Sequence, residues 1–371
     1  MKTPSHFLIT IFLALLLSVP LIQTATEASH GKWPGALEVF QYWPNPANLH
    51  AFERHLQDDS LTIQTLRPWI QATQYFALRD AGQQVLIGKN GWLFYQPGIS
   101  AATQRPHRGE STTADALAAA IHFRDALATR GIRLIIMPAP NKESIYPDQL
   151  VSCEPQQHIL DEQMRAFLDG CAKANLETVD LFSVYREARR NSPDLLYLKQ
   201  DSHWSPFGVE LAAQAVALRI GASVPTTGLY GHRIVSLTRH GDLVHILRSP
   251  VIEAQLAPES ITTTQIYRTD TGGSYTDDTG SDVLVLGDSF LRIFEQDEPG
   301  SAGFIAHLAQ RLGHPVASIV NDGGASTLVR QELSRHPQLL AKTKVVVWEF
   351  VERDLRLGTE GWQMIPLPSS H

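Results

Sequence analysis

The fold is decided by the octapeptide Val283-Leu284-Val285-Leu286-Gly287-Asp288-Ser289-Phe290. Its four leading apolar residues are typical of a short strand buried on both faces of a sheet. Gly287 then breaks the strand, so that Asp288 and Ser289 fall on the following turn. In open α/β sheets, ligands bind in the crevice at the carboxyl ends of the strands. Ser289 is therefore a candidate nucleophile, although Gly-Asp-Ser also occurs as an ordinary turn.

Apolar strands and helical segments alternate along most of the chain. Strands are predicted at residues 133–138, 176–181, 283–286, 316–320 and 344–348, and helices at 112–130, 206–220, 301–312 and 326–340. This alternation predicts βαβ units and an α/β fold with a parallel sheet flanked by helices. Residues 225–282 differ, because Gly, Thr and short alternating runs such as 234–237 and 243–247 predict a β-rich segment of hairpins and loops inserted between the halves of the sheet.

The composition is that of a globular protein. The chain has 371 residues, of which 43% are hydrophobic and 19% charged, enough to bury a large core. The formal net charge of −7 and the lack of any Lys/Arg-rich run argue against a nucleic-acid partner. A local basic patch remains compatible with an anionic substrate.

The N-terminus predicts export. Lys2 precedes an apolar run over residues 7–17, and small residues follow at 24–28, which is the pattern of a secretory signal peptide. We expect cleavage near residues 25–28 and a periplasmic protein; an uncleaved membrane anchor is the alternative. The predicted organisation is a signal segment at 1–28, a leader at 29–75, and one domain at 76–371 that contains the β-rich insert at about 225–282.

The two cysteines, Cys153 and Cys171, fit an oxidising compartment. A disulfide between them would close a modest loop and add about 3 kcal/mol on the chain-entropy model. Two unpaired buried thiols are the alternative. Neither cysteine has a neighbour that resembles a metal ligand.

A base and an orienting carboxylate are available in Asp201-Ser202-His203-Trp204. Histidine suits the removal of a proton from a serine hydroxyl, and a carboxylate fixes its tautomer. Residues i and i+2 of an extended segment share a side, so Asp201 can reach His203. A surface turn anchored by Trp204 is the structural alternative. A metal site is a further one, but no third ligand has suitable spacing, so we expect neither a metal nor a cofactor.

The oxyanion of an acyl-transfer reaction needs hydrogen-bond donors. The backbone N–H of Ser289 is one candidate. The Gly323-Gly324 turn is another, because glycine allows close approach of the backbone, and Asn321 can donate from its side chain. An ordinary turn and a strand cap are the structural alternatives.

These motifs together resemble the SGNH-hydrolase-like polysaccharide O-acetyltransferases of the alginate AlgJ/AlgX type. The Asp-x-His element precedes Gly-Asp-Ser, which is the reverse of the order in ordinary SGNH hydrolases. The matching stretches, spread over roughly residues 75–357, are Gly88-Lys-Asn-Gly-Trp-Leu-Phe94, Pro138-Ala-Pro-Asn-Lys142, Asn321-Asp-Gly-Gly324 and Trp348-Glu-Phe-Val-Glu-Arg353. Because few residues follow Arg356, we expect the AlgJ-like arrangement without the C-terminal carbohydrate-binding module of AlgX.

The resemblance implies Ser289 as nucleophile, His203 as base and Asp201 as its orienting group. The implied reaction transfers acetyl groups to hydroxyls of an exopolysaccharide such as alginate, with the donor supplied by a membrane-bound O-acyltransferase and with other exopolysaccharide-assembly proteins as partners. We expect Lys142, Arg353 and Trp204 to contact the sugar. A carbohydrate acetylesterase with the same triad, and a non-catalytic polysaccharide-binding scaffold, are the alternatives.

Overall fold

The computed structural model describes the chain apart from residues 1–2, 34, 41–42, 44, 47, 51, 54–59, 104–111, 151–159, 223–227, 323, 358–359 and 369–371. It divides into two compact units. One comprises residues 1–80 and 247–256, and the other comprises residues 81–246 and 257–371.

The first unit is helical. It contains α1 (Thr3–Ser29), a 3₁₀ turn (Gly35–Phe40), α2 (Leu61–Thr73) with a π-helical extension (Gln74–Leu78), and α11 (Pro250–Gln255). The segment His6–Ser29 of α1 is apolar and long enough to cross a membrane. Helix α2 begins at Leu61 because Ser60 caps it, its hydroxyl accepting the Ile63 N–H at 3.4 Å, as serine commonly does at this position.

The second unit is built on a five-stranded parallel sheet in the order β4-β3-β9-β7-β8. Its strands are β3 (Arg133–Ala139), β4 (Glu177–Thr178), β7 (Val283–Gly287), β8 (Ala317–Val320) and β9 (Val345–Val351). Two antiparallel pairs lie outside this sheet: β1 (Val85–Ile87) with β2 (Leu93–Tyr95), and β5 (Tyr230–Arg239) with β6 (Glu259–Arg268).

The second unit also contains helices, several of which cover the sheet. They are α3 (Gln96–Thr103), α4 (Thr113–Ala128), α5 (Lys142–Ile145), α6 (Pro147–Leu150), α7 (Glu162–Lys173), α8 (Leu181–Asn191), α9 (Pro206–Ile220), α10 (Asp242–Ile246), α12 (Ser289–Arg292), α13 (Phe304–Leu312), α14 (Leu328–Arg335) and α15 (Asp354–Leu357), with a 3₁₀ turn at Pro337–Leu340. Val283 and Val285 join a core that includes α9 and α13. Leu284 and Leu286 join a second core that includes α4, α7 and α14. This alternation buries both faces and confirms the predicted α/β class.

Two predicted strands are wrong in part. The strand expected at 176–181 shortens to Glu177–Thr178, because Asp180 accepts the Ser183 N–H at 3.1 Å and so caps a helix that begins at Leu181. The run 243–247, expected in a hairpin, forms α10, whose Leu243 and Val244 are buried. Apolar residues on one side of a short helix give nearly the same short-range pattern as a strand.

The strand order positions the site. The chain places β9 between β3 and β7, so the carboxyl ends of these three strands are adjacent. The segments that follow them begin at Pro140, Asp288 and Glu352 and lie along one rim of the sheet. This rim is the crevice in which open α/β sheets bind ligands.

Candidate active site

Ser289 stands on a tightly held turn. Ser289 is the first residue of the four-residue helix α12, and Asp288 alone separates it from the end of β7. The Asp288 carboxylate accepts the Phe290 N–H at 2.9 Å, while the Asp288 N–H donates to Glu349 Oε2 at 3.1 Å. A side chain at Gly287 would collide with the Glu349 carboxyl group and with Leu291, so any larger residue would displace these two buried side chains. Asp288 therefore shapes the turn, and Ser289 is left to face His203.

The structure brings Ser289, His203 and Asp201 together in hydrogen-bond contact. Ser289 Oγ lies 2.8 Å from His203 Nε2, and His203 Nδ1 lies 2.7 Å from Asp201 Oδ1. The carboxylate requires a proton on Nδ1, which leaves Nε2 free to accept the serine proton. Asp201 is fully buried and His203 nearly so. This is the geometry of a nucleophile, a general base and its orienting group.

The Asp201 carboxylate is surrounded by donors. Oδ1 also accepts the His203 backbone N–H at 3.0 Å, and Oδ2 accepts from Arg239 Nη2 and the Asp242 N–H, each at 3.2 Å. Burial alone would raise the pKa of Asp201, but the His203 charge, these hydrogen bonds and Arg239 outweigh burial and lower it. Asp201 therefore stays ionised when His203 takes up a proton.

The β5–β6 segment holds the loop that carries the base. Glu259 on β6 accepts the N–H groups of Lys199 and Gln200 at 2.8 and 2.7 Å. Asp242 accepts the backbone N–H and the hydroxyl of Ser202 at 2.7 and 2.5 Å. The sequence predicted this segment only as an insert. Its contacts instead hold Lys199, Gln200 and Ser202, in the segment that leads to His203.

Lys142 lies beneath the same loop, and the expectation that it contacts the sugar is wrong. Its ammonium group donates to the backbone oxygens of Leu93, Lys199 and Asp201 at 2.6, 2.8 and 2.9 Å. An ammonium has three protons, and only 3% of the residue is exposed. Burial lowers the pKa of Lys142 to about 8, although nearby carboxylates, Asp201 first, oppose the shift. Lys142 is a positioning residue for Asp201.

Replacing Lys142 with methionine should therefore lower turnover and leave substrate binding unchanged. The variant keeps the length of the side chain but removes the ammonium donor from three buried carbonyl groups, of which the Lys199 oxygen still accepts the Leu93 N–H at 2.8 Å. Each group left unsatisfied costs about 1–3 kcal/mol. We expect kcat to fall by about 10- to 100-fold, because small misplacements of catalytic groups have effects of this size. Steady-state kinetics would measure it, with Lys199→Met as the control. A raised KM with unchanged kcat would restore the sugar-binding role.

Trp204 is also an anchor, which corrects the expectation that it contacts substrate. The residue is fully buried. Its ring packs edge-on to Phe290 at 5.1 Å and is stacked on Phe304 at 6.2 Å. Phe290 in turn lies 4.9 Å from the His203 ring. The aromatic group therefore joins the base to the nucleophile turn, and no part of Trp204 is available to a polysaccharide.

Arg353 is the partly exposed cation of the site. Its guanidinium lies 5.7 Å from the Phe290 ring and 5.2 Å from the Tyr95 ring, within the range of cation–π attraction. Among the residues that the structure describes, it forms no ion pair. Phe290 follows the nucleophile directly, and the Arg353 charge acts to lower the pKa of His203, so the guanidinium lies in the electrostatic environment of the triad.

Buried acids near Arg353 carry less negative charge than their number suggests. Burial raises the pKa of Glu143 to about 7, of Asp354 to about 7 and of Glu352 to about 8, and it raises the pKa of Glu349 well above the usual value. A carboxyl group with a pKa of about 7 is half protonated near neutral pH, and one with a higher pKa is mostly protonated. The charge of Arg353 therefore stays available to an anionic ligand.

The predicted oxyanion donors are described in part. The Asn321 N–H donates to the Gly287 oxygen at 3.0 Å, which places this loop beside the nucleophile turn. Arg292 on α12 pairs with Asp322 at 2.8 Å and fastens the two segments together. Gly323 lies outside the described residues. The assignment of Asn321, Gly323 and the Ser289 N–H as oxyanion donors therefore stays a prediction.

The fold brings a third potential metal ligand, Asp242, next to Asp201 and His203, which the spacing in the sequence did not predict. Carboxylate oxygens of Asp201 and Asp242 and a ring nitrogen of His203 lie within 4.8 Å of one another. However, both Asp201 oxygens accept hydrogen bonds, and the Arg239 guanidinium approaches Asp201 Oδ2 to 3.2 Å. A cation there would compete with a fixed positive charge, so the donor set favours the triad.

The predicted disulfide is not tested, because Cys153 lies outside the described residues. Cys171 is fully buried in α7. Burial raises the pKa of its thiol to about 12, which makes it unreactive as a nucleophile. The pairing stays a prediction.

Catalysis should lose its base as the pH falls. Burial lowers the pKa of His203, but the Asp201 charge, the hydrogen bond to Asp201 and the Asp242 charge outweigh it, so the net pKa lies above the usual value of about 6.5. Neutral imidazole is the active form, so we expect kcat/KM to decrease at pH values below the pKa of His203. The pH dependence of kcat/KM would be measured from the release of the leaving group of an activated acetyl ester between about pH 5 and pH 9. The rate with Ser289→Ala would be subtracted as the blank. A profile that is flat down to about pH 5.5 would contradict the assignment of His203 as base.

A family model described as "SGNH hydrolase-like domain, acetyltransferase AlgX" matches residues 85–352. The probable alginate O-acetylase AlgJ of Pseudomonas syringae pv. tomato is 27% identical over 367 residues, covering 94% of this chain and 87% of that protein. The probable alginate O-acetylase AlgJ of Pseudomonas aeruginosa is 30% identical over 181 residues, covering 48% and 43%.

Two solved structures are similar to the chain. The O-acetyltransferase domain of Pseudomonas putida AlgJ superposes with a TM-score of 0.57 at 24% identity, covering 74% of this chain and 92% of that one. AlgX of Pseudomonas aeruginosa superposes with a TM-score of 0.54 at 17% identity, covering 72% and 62%. These likenesses confirm the predicted SGNH-hydrolase-like fold.

Proposed function

Because the chain belongs to the family of SGNH hydrolase-like acetyltransferase domains of the AlgX type, we propose that it transfers acetyl groups to the hydroxyls of an exported polysaccharide, with alginate as the acceptor. The observation that carries the proposal is the contact of Ser289 Oγ with His203 Nε2 at 2.8 Å, with Asp201 behind the histidine. The names of the AlgJ relatives, probable alginate O-acetylases, support alginate as the polysaccharide.

The reaction divides into two acyl transfers. His203 Nε2 takes the Ser289 proton as Oγ attacks the acetyl carbonyl carbon. When the tetrahedral intermediate collapses, the bond to the donor oxygen breaks, the imidazolium gives its proton to that oxygen, and an acetyl-serine ester remains. A sugar hydroxyl then attacks the ester while His203 accepts its proton. Collapse breaks the bond to Oγ, which takes the proton back.

The acceptor is proposed to be a uronate polymer because of Arg353. A guanidinium binds a carboxylate through two parallel hydrogen bonds. Arg353 lies over Phe290, one residue from the nucleophile, and has no ion-pair partner among the described residues. A sugar carboxylate held there would bring a hydroxyl of the same or the next sugar towards Ser289.

The test incubates the full-length protein with an activated acetyl ester and alginate oligosaccharides. Acetylated oligosaccharide, detected by mass spectrometry and lost in Ser289→Ala, is the expected product. Acetate release without acetylated sugar would show the acetylesterase alternative. Binding of oligosaccharide with neither product would show the scaffold alternative. Cellulose oligosaccharides serve as the matched neutral acceptor.

Replacing Arg353 with glutamine should weaken binding of the anionic acceptor selectively. A hydrogen bond to a charged group contributes about 1.5–3 kcal/mol, which corresponds to about a 10- to 100-fold rise in KM for alginate oligosaccharides. The rate with water or a neutral sugar as acceptor should change little. Arg268→Gln, at the far end of β6 from Glu259, is the control. An equal loss with the neutral acceptor would argue against carboxylate recognition by Arg353.

Export and partners are proposed from the N-terminus and the family resemblance. The apolar helix at His6–Ser29 is consistent with a signal or an anchor. We place the catalytic domain, residues 76–371, in the periplasm. A membrane-bound O-acyltransferase is the proposed source of the acetyl group, and other exopolysaccharide-assembly proteins are the proposed further partners.

A further inference from the structure

Helix α1 contacts the rest of the N-terminal unit through two polar side chains near its carboxyl end. It runs unbroken through residues 25–28, where cleavage was expected, to Ser29. Its Gln23 is buried, and the Gln23 side-chain oxygen accepts the Leu61 N–H, the first of α2, at 2.8 Å. Glu27 accepts the Gly35 N–H at 2.8 Å. Cleavage near residues 25–28 would remove the first contact and disrupt the second, whereas an uncleaved helix keeps both.

Helix α2 turns its apolar face outward. Leu66, Trp69 and Ile70 fall within an arc of about 100° on a helix, and they are 51%, 62% and 56% exposed. Ala72, about 60° beyond Trp69 around the helix, is buried, and α11 packs against this helix near Pro68, whose oxygen accepts the Ser249 hydroxyl at 2.9 Å. Surface helices of soluble proteins have the reverse arrangement.

Exposed apolar residues also occur directly after α2. Phe76 and Leu78 of the π-helical extension are 43% and 70% exposed. The exposed polar residues Gln64 and Arg67 lie to one side of the apolar arc. An amphipathic helix with tryptophan on its apolar face and arginine beside it has the composition of a segment that lies in the membrane interface.

The contact of α2 with α1 indicates the depth at which the apolar face of α2 would lie in a bilayer. His6–Ser29 spans 24 residues, about 36 Å at 1.5 Å per residue, and a bilayer has a hydrocarbon core of about 30 Å. Gln23 lies six residues before the end of α1, about 9 Å along its axis. Helix α2 therefore begins beside the last turns of the apolar helix, where a bilayer changes from acyl chains to headgroups.

We propose that α1 spans the membrane uncleaved and that α2 lies in the outer interface of the same bilayer, with Leu66, Trp69 and Ile70 among the lipid acyl chains. The occupant of this apolar face is lipid. The two helices form one membrane-binding unit, in which α1 anchors the chain and α2 fixes the rotation of the anchor about its axis.

The test uses the full-length protein in vesicles of phosphatidylethanolamine and phosphatidylglycerol. A small environment-sensitive fluorescent amino acid replaces Trp69 in one sample. In the matched control it replaces Gln64, which is also exposed and lies about 140° away around the helix. Quenchers attached near the headgroup end of the acyl chain, and iodide in the water, report the surroundings of each probe. Circular dichroism checks that both variants are folded.

We expect the probe at position 69 to be quenched by the lipid-borne quencher and protected from iodide by about fivefold or more relative to position 64, as burial in the interface implies. Equal access of iodide to both positions in folded protein would overturn the proposal and indicate a protein partner for this face. Loss of residues 1–28 from the mature protein in cells, detected by mass spectrometry, would overturn the retention of α1.

Discussion

Replacing Ser289 with alanine should lower acetyl transfer by at least about a thousandfold. The variant removes the only atom that His203 Nε2 contacts at 2.8 Å among the described side chains, so no acetyl-enzyme can form. The fold should persist, because the turn is held by Asp288 and Glu349 and not by the serine hydroxyl. The measurement is the rate of acetyl transfer to oligosaccharide, with mass spectrometry of the protein to detect the acetyl group.

Ser202→Ala is the matched control for this prediction. Its hydroxyl also lies near the histidine, 3.5 Å from Nδ1, but it donates to Asp242 on the side away from Ser289. We expect a loss of no more than about tenfold, the net size of a typical hydrogen bond, because Asp242 still accepts the Ser202 N–H at 2.7 Å. A Ser289→Ala protein that still accumulates an acetyl group would show that another residue is the nucleophile.

The parts of the molecule that could be predicted from the sequence depend on neighbours along the chain. The residues of β7 are apolar at every position because both faces of the strand are buried, and that pattern is local. The contact of Asp201 with His203 spans two residues and could also be predicted. Pro206 at the start of α9, after the capping Ser205, gave its first residue correctly.

The remaining parts depend on contacts between distant residues. Glu259 and Lys199 are separated by sixty positions, and nothing in the sequence near Glu259 indicates its role. The sequence predicts that Lys142 contacts the sugar, but the same local sequence is compatible with an ammonium group that faces water and with one that is buried against three carbonyl groups. The local sequence around Trp204 likewise does not show whether its ring is exposed to a sugar or buried in the core. Burial distinguishes these cases, and burial is set by tertiary packing.

Asp201→Asn should lower kcat by about a thousandfold to ten-thousandfold, whereas Asp242→Asn should cost no more than about tenfold. Each carboxylate lies near His203 Nδ1, at 2.7 Å and 3.6 Å respectively. The two therefore form a matched pair of isosteric variants in one site. The measurement is kcat/KM for acetyl transfer as a function of pH, with thermal unfolding to compare stability.

The partners of the two groups explain the difference. Each oxygen of the Asp201 carboxylate accepts two hydrogen bonds from N–H groups. The NH₂ of an asparagine, which is itself a donor, would therefore face one of these two pairs of N–H groups. The Arg239 charge attracts the amide oxygen, which turns the NH₂ towards His203 Nδ1. The ring proton then moves to Nε2, and the base can no longer accept the proton of Ser289.

Asparagine at 242 meets no such conflict, because its oxygen can accept the Ser202 N–H while its NH₂ donates to the Ser202 hydroxyl. Only a negative charge is lost, and that charge raises the pKa of His203. The midpoint of the acidic limb should therefore move down by up to about one pH unit, with the plateau nearly unchanged. A collapsed plateau in Asp242→Asn, together with a mild Asp201→Asn, would make Asp242 the orienting carboxylate and reverse the assignment.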